Sequence, residues 1–231
     1  MKKIIPFVIV MMITATSSFA QATREFQLKN FDKISMGSAF HIEIRPGAYK
    51  VITSGDQDDL DELEGFVSGS TLKLKFKNDK NWSWGYKNRK RINVVILLPQ
   101  LKGIDLSGAT TTTIEGFKNV EVFDFEVSGA SKINASFTAK RVNLDISGAS
   151  TINLSGGAEQ MGGEISGATT FRAGDFVVKE VRLDISGASS AKLNVTKNLK
   201  ADASGASSIR YTGNPENVNT DTSGASSIRK E

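Results

Sequence analysis

The 231-residue sequence predicts an all-β protein, a right-handed parallel β-helix with coils of about 19–20 residues cornered at Ser-Gly-Ala, and three observations carry the prediction. The tripeptide Ser-Gly-Ala recurs seven times, beginning at Ser107, Ser128, Ser147, Ser166, Ser186, Ser204 and Ser223, in steps of 18 to 21 residues. On both sides of it, apolar and polar residues alternate with the period of two that a half-buried strand requires. A unit this short cannot hold the ~30 residues of a strand-helix-strand crossover, and its steps are too even for sandwich loops. Stacking one repeat on the next is the remaining way to bury its apolar face. The right-handed sense follows from the general preference of parallel crossovers.

The elements follow from the N-terminus. Lys2 and Lys3 precede an apolar run, Ile4 to Ile13, and Ser18-Phe19-Ala20 has the small-x-small form of a cleavage site. Residues 1–20 therefore read as a secretory signal, too short to span a bilayer of about 20 apolar residues. Its removal leaves 27 basic and 25 acidic residues and a net charge of +2. So small an excess gives no reason to expect nucleic acid as a partner. No later segment reads as transmembrane. Zero cysteine excludes disulfide scaffolds, thiol nucleophiles and zinc–cysteine sites, and the lone His41 excludes any triad needing a second histidine.

Residues 21–231 read as a single β-helix domain, irregular over 21–100 and regular over 101–231. In the irregular part the alternation predicts strands at 31–36, 40–45, 49–53, 71–77 and 91–98. Asp56 to Glu64 is acidic and suits a single helical turn or a polar loop. It lacks the glycine and spacing of a calcium loop. Ser68-Gly69-Ser70 lies 39 residues before Ser107, two coil steps, and reads as a weaker corner.

In the regular part each position of the repeat has a task. One and three residues before the serine the side chains are apolar, as in Leu144 and Ile146. Two before it stands an acid in every copy: Asp105, Glu126, Asp145, Glu164, Asp184, Asp202 and Asp221. Stacked at ~4.8 Å these carboxylates repel one another, and two roles are open to them. They would either accept backbone N–H groups at their own corners or hold a cation between coils. Cations after the corner, Lys132, Arg172, Lys192, Arg210 and Arg229, are placed to offset them. Three residues after the serine, Thr110, Ser131, Ser150, Thr169, Ser189, Ser207 and Ser226 have the parity of the buried face, where hydroxyls would satisfy corner backbone groups. Toward the C-terminus the core positions shrink, from Phe125 and Val127 to Ala201 and Ala203 and then Thr220 and Thr222, as a polar cap on an open end would need.

Trp82, Trp84 and Tyr86, set among Lys87, Arg89 and other cations, form the one aromatic-rich loop. Such a loop suits stacking on sugar rings or anchoring a protein partner, and the alternative is that its tryptophans fold back to cover the solenoid's open end or flank. No residues form a catalytic constellation or a resident metal or cofactor site.

Several segments together carry a resemblance. Phe31-Asp32-Lys33-Ile34, Phe40-His41-Ile42-Glu43-Ile44, Tyr49-Lys50-Val51, Thr71-Leu72-Lys73-Leu74, Leu98-Pro99-Gln100-Leu101 and the Ser-Gly-Ala ladder make the sequence similar to the head GIN domain family, named for autotransporter adhesins. The resemblance implies a pectin-lyase-like β-helix, a role in adhesion, and no catalytic residues. The function expected is therefore a non-enzymatic exported binding or adhesion protein of the periplasm or cell surface, offering its faces to a glycan or surface protein. Two alternatives are a polysaccharide-active β-helix lyase or hydrolase, and a structural envelope protein that forms homo-oligomers.

Overall fold

The computed structural model describes residues 21–77 and 90–231. It is a β-solenoid of about 7 turns with ~19-residue coils. In chain order the elements are β1 (Ala22–Phe26), β2 (Lys33–Met36), β3 (Phe40–Pro46), β4 (Lys50–Gly55), α1 (Gln57–Asp61), β5 (Leu63–Ser68), β6 (Thr71–Phe76), β7 (Ile92–Leu98) and β8 (Gly103–Gly108). The regular coils follow as β9 (Thr111–Gly129), β10 (Lys132–Gly148), β11 (Thr151–Ile165), β12 (Thr170–Ile185), β13 (Ser190–Ala203), β14 (Ser208–Thr212), β15 (Asn217–Thr222) and β16 (Ser227–Lys230).

From β8 onward each coil pairs in parallel with the one before, so equivalent residues stack: Ile146 lies beside Val127 on one side and Ile165 on the other. The unequal sequence steps are absorbed by bulges after the corners, as between Asn153 and Ser155 where β11 meets β12. The corners themselves stay in line. Inward residues alternate with outward ones, and the inward set forms one apolar core running from Phe26 to Ile209.

The N-terminal part is threaded out of order. β2 and β3 lie directly against β8 and β9, so the first strands after β1 build the coil next to the regular stack. The chain then passes to the far end, and β6 and β7 add a coil outside β2 and β3. Three strands finish that end with antiparallel pairing: β5 on β6, β4 on β7, and β1 on β4. Arg24 of β1 donates to the carbonyls of Leu60 and Leu63, both at 2.8 Å, and ties β1 to the end of α1. A sheet end capped by antiparallel strands, a helix and a charged side chain is protected against edge pairing.

This threading corrects one sequence expectation. Ser68-Gly69-Ser70 is not a coil corner; it is the tight turn of the β5–β6 hairpin, with Ser68 opposite Thr71. The corresponding corner is Gly37-Ser38, against which Ser107 and Gly108 stack. The 39-residue interval arises because the chain spends it on the cap and the outermost coil. Two strands, β1 and β5, lie where the sequence shows no strand pattern, and Asp56–Glu64 contains the short helix α1, N-capped by Asp56.

At the C-terminal end the side chains of β15 are all exposed, Thr220 and Thr222 included. The taper from phenylalanine to threonine thus leaves polar groups, rather than a cut apolar core, on the last coil.

A second tie crosses the threading. Lys33 of β2 reaches past Gly103 of β8 to Asp124 of β9, with Nζ 2.8 Å from Oδ2, and Asn143 donates to the other carboxylate oxygen at 2.8 Å. The hydrogen bond to Asp124 raises the Lys33 pKa. Burial pushes the Asp124 carboxyl up, but bonds from Lys33 and Asn143 outweigh it and leave the pKa lowered. A lowered carboxyl contributes stability above its unfolded pKa and loses it as pH falls through the folded one; the raised lysine loses its share only at high pH. Lys33→Met should therefore destabilise the protein at neutral pH by less than about 1 kcal/mol, since the lysine is well exposed. In chemical unfolding at stepwise lower pH, the gap between variant and parent should close as Asp124 protonates.

Candidate functional site

The regular coils turn each repeated residue type into a column along the solenoid. The acids come together as the sequence indicates. Asp105, Glu126, Asp145, Glu164, Asp184, Asp202 and Asp221 stand in register, one per coil, and Ser35 precedes them on β2, donating its hydroxyl to Asp105 at 2.8 Å. All point outward. A shallow groove of about 180 Å³ runs between the last four of them and the corner serines.

The carboxylates do not cap the corners. Those amides point along the solenoid axis and bond coil to coil: the N–H of Ala149 donates to Gly129 O, that of Ala168 to Gly148 O, and that of Ala188 to Gly167 O, each at 2.8 Å. An outward side chain on the strand before the corner lies off that line. Asp145, Glu164, Asp184 and Asp202 make no hydrogen bond or ion pair among the described residues. The cations after the corner do not offset them either. Arg172 donates to Asn153, and Lys192 and Arg210 bind Glu231. Among the described residues no group of three or more histidines or acids is placed to hold a metal ion. Replacing Asp145 and Asp184 together by Asn should leave the melting temperature unchanged or raise it slightly at low salt, because like charges in adjacent rungs are relieved. The gain should vanish as salt screens the column.

The hydroxyls of the buried column behave as expected. Ser131, Ser150, Thr169, Ser189 and Ser207 are buried, and their side chains bond to corner carbonyls or to one another across coils, as Ser150 does with Gly129 O and Thr110 with Ser131. They hold the corners together from inside.

A feature missed in the sequence lies on the same sheet as the acids. Four residues before each of the last five acids, outward side chains form a hydrogen-bonded chain: Arg141 Nε to Gln160, Gln160 to Glu180, Asn198 to Glu180, and Asn217 to Asn198. It walls a groove of about 440 Å³ whose other side includes Arg182 and Lys200. The residue types differ from coil to coil, so no sequence pattern marks the column; only the register does. His41 points outward from β3, half-buried, beside Asn93 and Thr111. Trp82, Trp84, Tyr86, Lys87 and Arg89 lie outside the described residues.

The family described as "Putative auto-transporter adhesin, head GIN domain" matches residues 30–215. The chain belongs to this family. Solved structures with the same fold include a protein named as a putative adhesin of Bacteroides fragilis, with a TM-score of 0.82 at 22% identity over 93% of this chain and 98% of that one. A protein of Parabacteroides distasonis named as a putative lipid binding protein has a TM-score of 0.63 at 21% identity, covering 93% and 98%. A putative adhesin of Parabacteroides merdae has a TM-score of 0.57 at 17% identity, covering 93% and 97%. No curated protein matches the chain. Among the described residues of this head GIN protein no helix is long and apolar enough to cross a membrane.

Proposed function

We propose that this head GIN protein is exported, with residues 1–20 removed as a signal, and works without catalysis by binding a glycan or surface protein in adhesion. The observation that carries the reading is the uniformity of the exposed columns. The acid column repeats in seven coils at strand spacing, and the grooves on that sheet are shallow and open. Hydrolysis of a polysaccharide needs one place where a few groups differ from all the others and solvent is excluded. A face that repeats suits a partner that repeats, or many weak contacts with one surface.

Within this reading the aromatic loop, Trp82, Trp84, Tyr86, Lys87 and Arg89, is the contact of highest affinity. Aromatic rings beside cations are the residues that dominate binding energies. A glycan array and a cell-binding assay with the purified protein test the proposal. Saturable binding is expected, falling at least about tenfold in the Trp82→Ala, Trp84→Ala variant. Binding that survives while the melting temperature drops would show the loop to be structural, and turnover of any polysaccharide would overturn the non-enzymatic reading.

A further inference from the structure

The sheet on the other side of the corner differs in charge from the sheet bearing the acids. Four residues after each of the last four motif serines, a hydroxyl column points outward: Thr170, Ser190, Ser208 and Ser227 lie in register on four successive strands. Two residues farther along stand Arg172, Lys192, Arg210 and Arg229, also in register and all exposed. Each coil thus offers a hydroxyl and a cation side by side, in the order Thr-x-Arg, Ser-x-Lys, Ser-x-Arg, Ser-x-Arg. Nearer the capped end the cation column gives way to Asn153 and Asn134, the first of which accepts from Arg172.

Two facts set this strip apart from a solvated charged face. Four cations at ~4.8 Å repel one another, and the only described carboxylate bonded to any of them is that of Glu231. The hydroxyls of Thr170, Ser190, Ser208 and Ser227 have no partner among the described residues, whereas the hydroxyls of the buried column are bonded. Glu231 also shows how an anion sits here. Its carboxylate bridges two rungs, 2.5 Å from Lys192 Nζ and 3.5 Å from Arg210 Nη1. The lysine bond, opposed by desolvation and aided by Arg210, holds its carboxyl below the ordinary range.

We infer that this hydroxyl–cation strip binds a linear acidic polysaccharide, whose successive carboxylates or sulfates lie across the rungs as the Glu231 carboxylate does while its sugar hydroxyls meet the serine and threonine column. A regular polymer suits a regular row, and arginine pairs with carboxylate and sulfate alike. The inference rests on the adhesion reading and assigns it a ligand class. Glu231 acts as a built-in competitor, occupying the two middle rungs.

Biolayer interferometry with sodium polygalacturonate, dextran sulfate and uncharged dextran tests it. Both polyanions should bind, dextran should not, and binding should weaken as salt rises. The Arg172→Gln, Arg229→Gln variant should lose affinity on the order of tenfold, from two exposed charge contacts of moderate strength. Glu231→Gln should bind a few-fold more tightly, a gain that misfolding could not produce. Equal binding of dextran, or no change in both variants, would overturn the inference. So would light scattering showing that the strip instead joins two copies, with the arginine variant dispersing them and polyanion affinity unaffected. Loss of polygalacturonate binding alone, with cell binding intact, would sink this strip but not the adhesion role; absent cell and glycan binding of the parent would sink that role.

Discussion

Alanine in place of Gly148 should destabilise the protein by about 3 kcal/mol or more, while alanine in place of Gly69 should cost only about 1 kcal/mol. Both glycines have a left-handed backbone, with φ of +88° and +60°. A non-glycine residue there carries a penalty of roughly 1–2 kcal/mol. The difference lies in what surrounds them. Gly69 turns the β5–β6 hairpin in open space, and a Cβ there would meet nothing within 4 Å. Gly148 is stacked in the corner column, and a Cβ would lie 2.4 Å from Gly129 O and 2.7 Å from Gly129 N. Those are backbone atoms held by the coil-to-coil bond from Ala149, so they cannot yield without breaking the ladder. Urea unfolding of the two single variants measures the difference directly. Equal losses would mean that dihedral strain alone fixes glycine at the corners and that the coils can separate freely.

The same crowding explains why the repeat was legible. A corner stacked directly on its neighbours admits glycine only, so the tripeptide is written into the sequence at every coil, and the alternation around it fixes which side chains enter the core. Coil length, inward residues such as Leu144 and Ile146, the buried hydroxyls and the acid column can all be read that way. The N-terminal threading cannot. β2 and β3 build a coil whose neighbours in space, β6 to β9, come 38 to 70 residues later, and out-of-order stacking leaves no period to find. Strand β5 is disguised by Gly65, where a Cβ would press on Phe26 and Leu74, and β1 by its mixed composition. The acids stand in a column as their spacing indicates, and of the two roles open to them corner capping is the one the coil-to-coil bonds take away, because composition does not tell that corner amides point along the axis. The cations after the corner were likewise visible, and only register shows that they form a column of their own beside free hydroxyls. Partners across a sheet are set by geometry that a linear reading does not contain.

Phe137→Ala should be the most damaging core substitution, with an expected loss of about 3–5 kcal/mol. Phe137 is buried and touches three other rings: Phe123 at 4.6 Å between centroids, Phe176 at 5.2 Å and Phe125 at 6.0 Å. Its contact with Phe176 spans an intervening coil, because the residue in register between them is Gly156. Removing one ring of this cluster opens a void in the core. The position matters as much as the size. In a solenoid each coil is stabilised by the coils on either side, and Phe137 links the coils formed by β9, β10 and β12. Its loss should weaken the coupling between the capped N-terminal end and the tapered C-terminal end. The unfolding transition should then broaden as well as shift, with the C-terminal coils, which hold no buried aromatic ring after Phe176, losing amide protection first in hydrogen exchange. Val218→Ala, at an exposed side chain of the last coil, should change stability by less than about 0.5 kcal/mol. A Phe137→Ala loss below about 1 kcal/mol, with a transition as sharp as the parent's, would show that the aromatic cluster relaxes into the void and that the coils are coupled through the corner ladder instead.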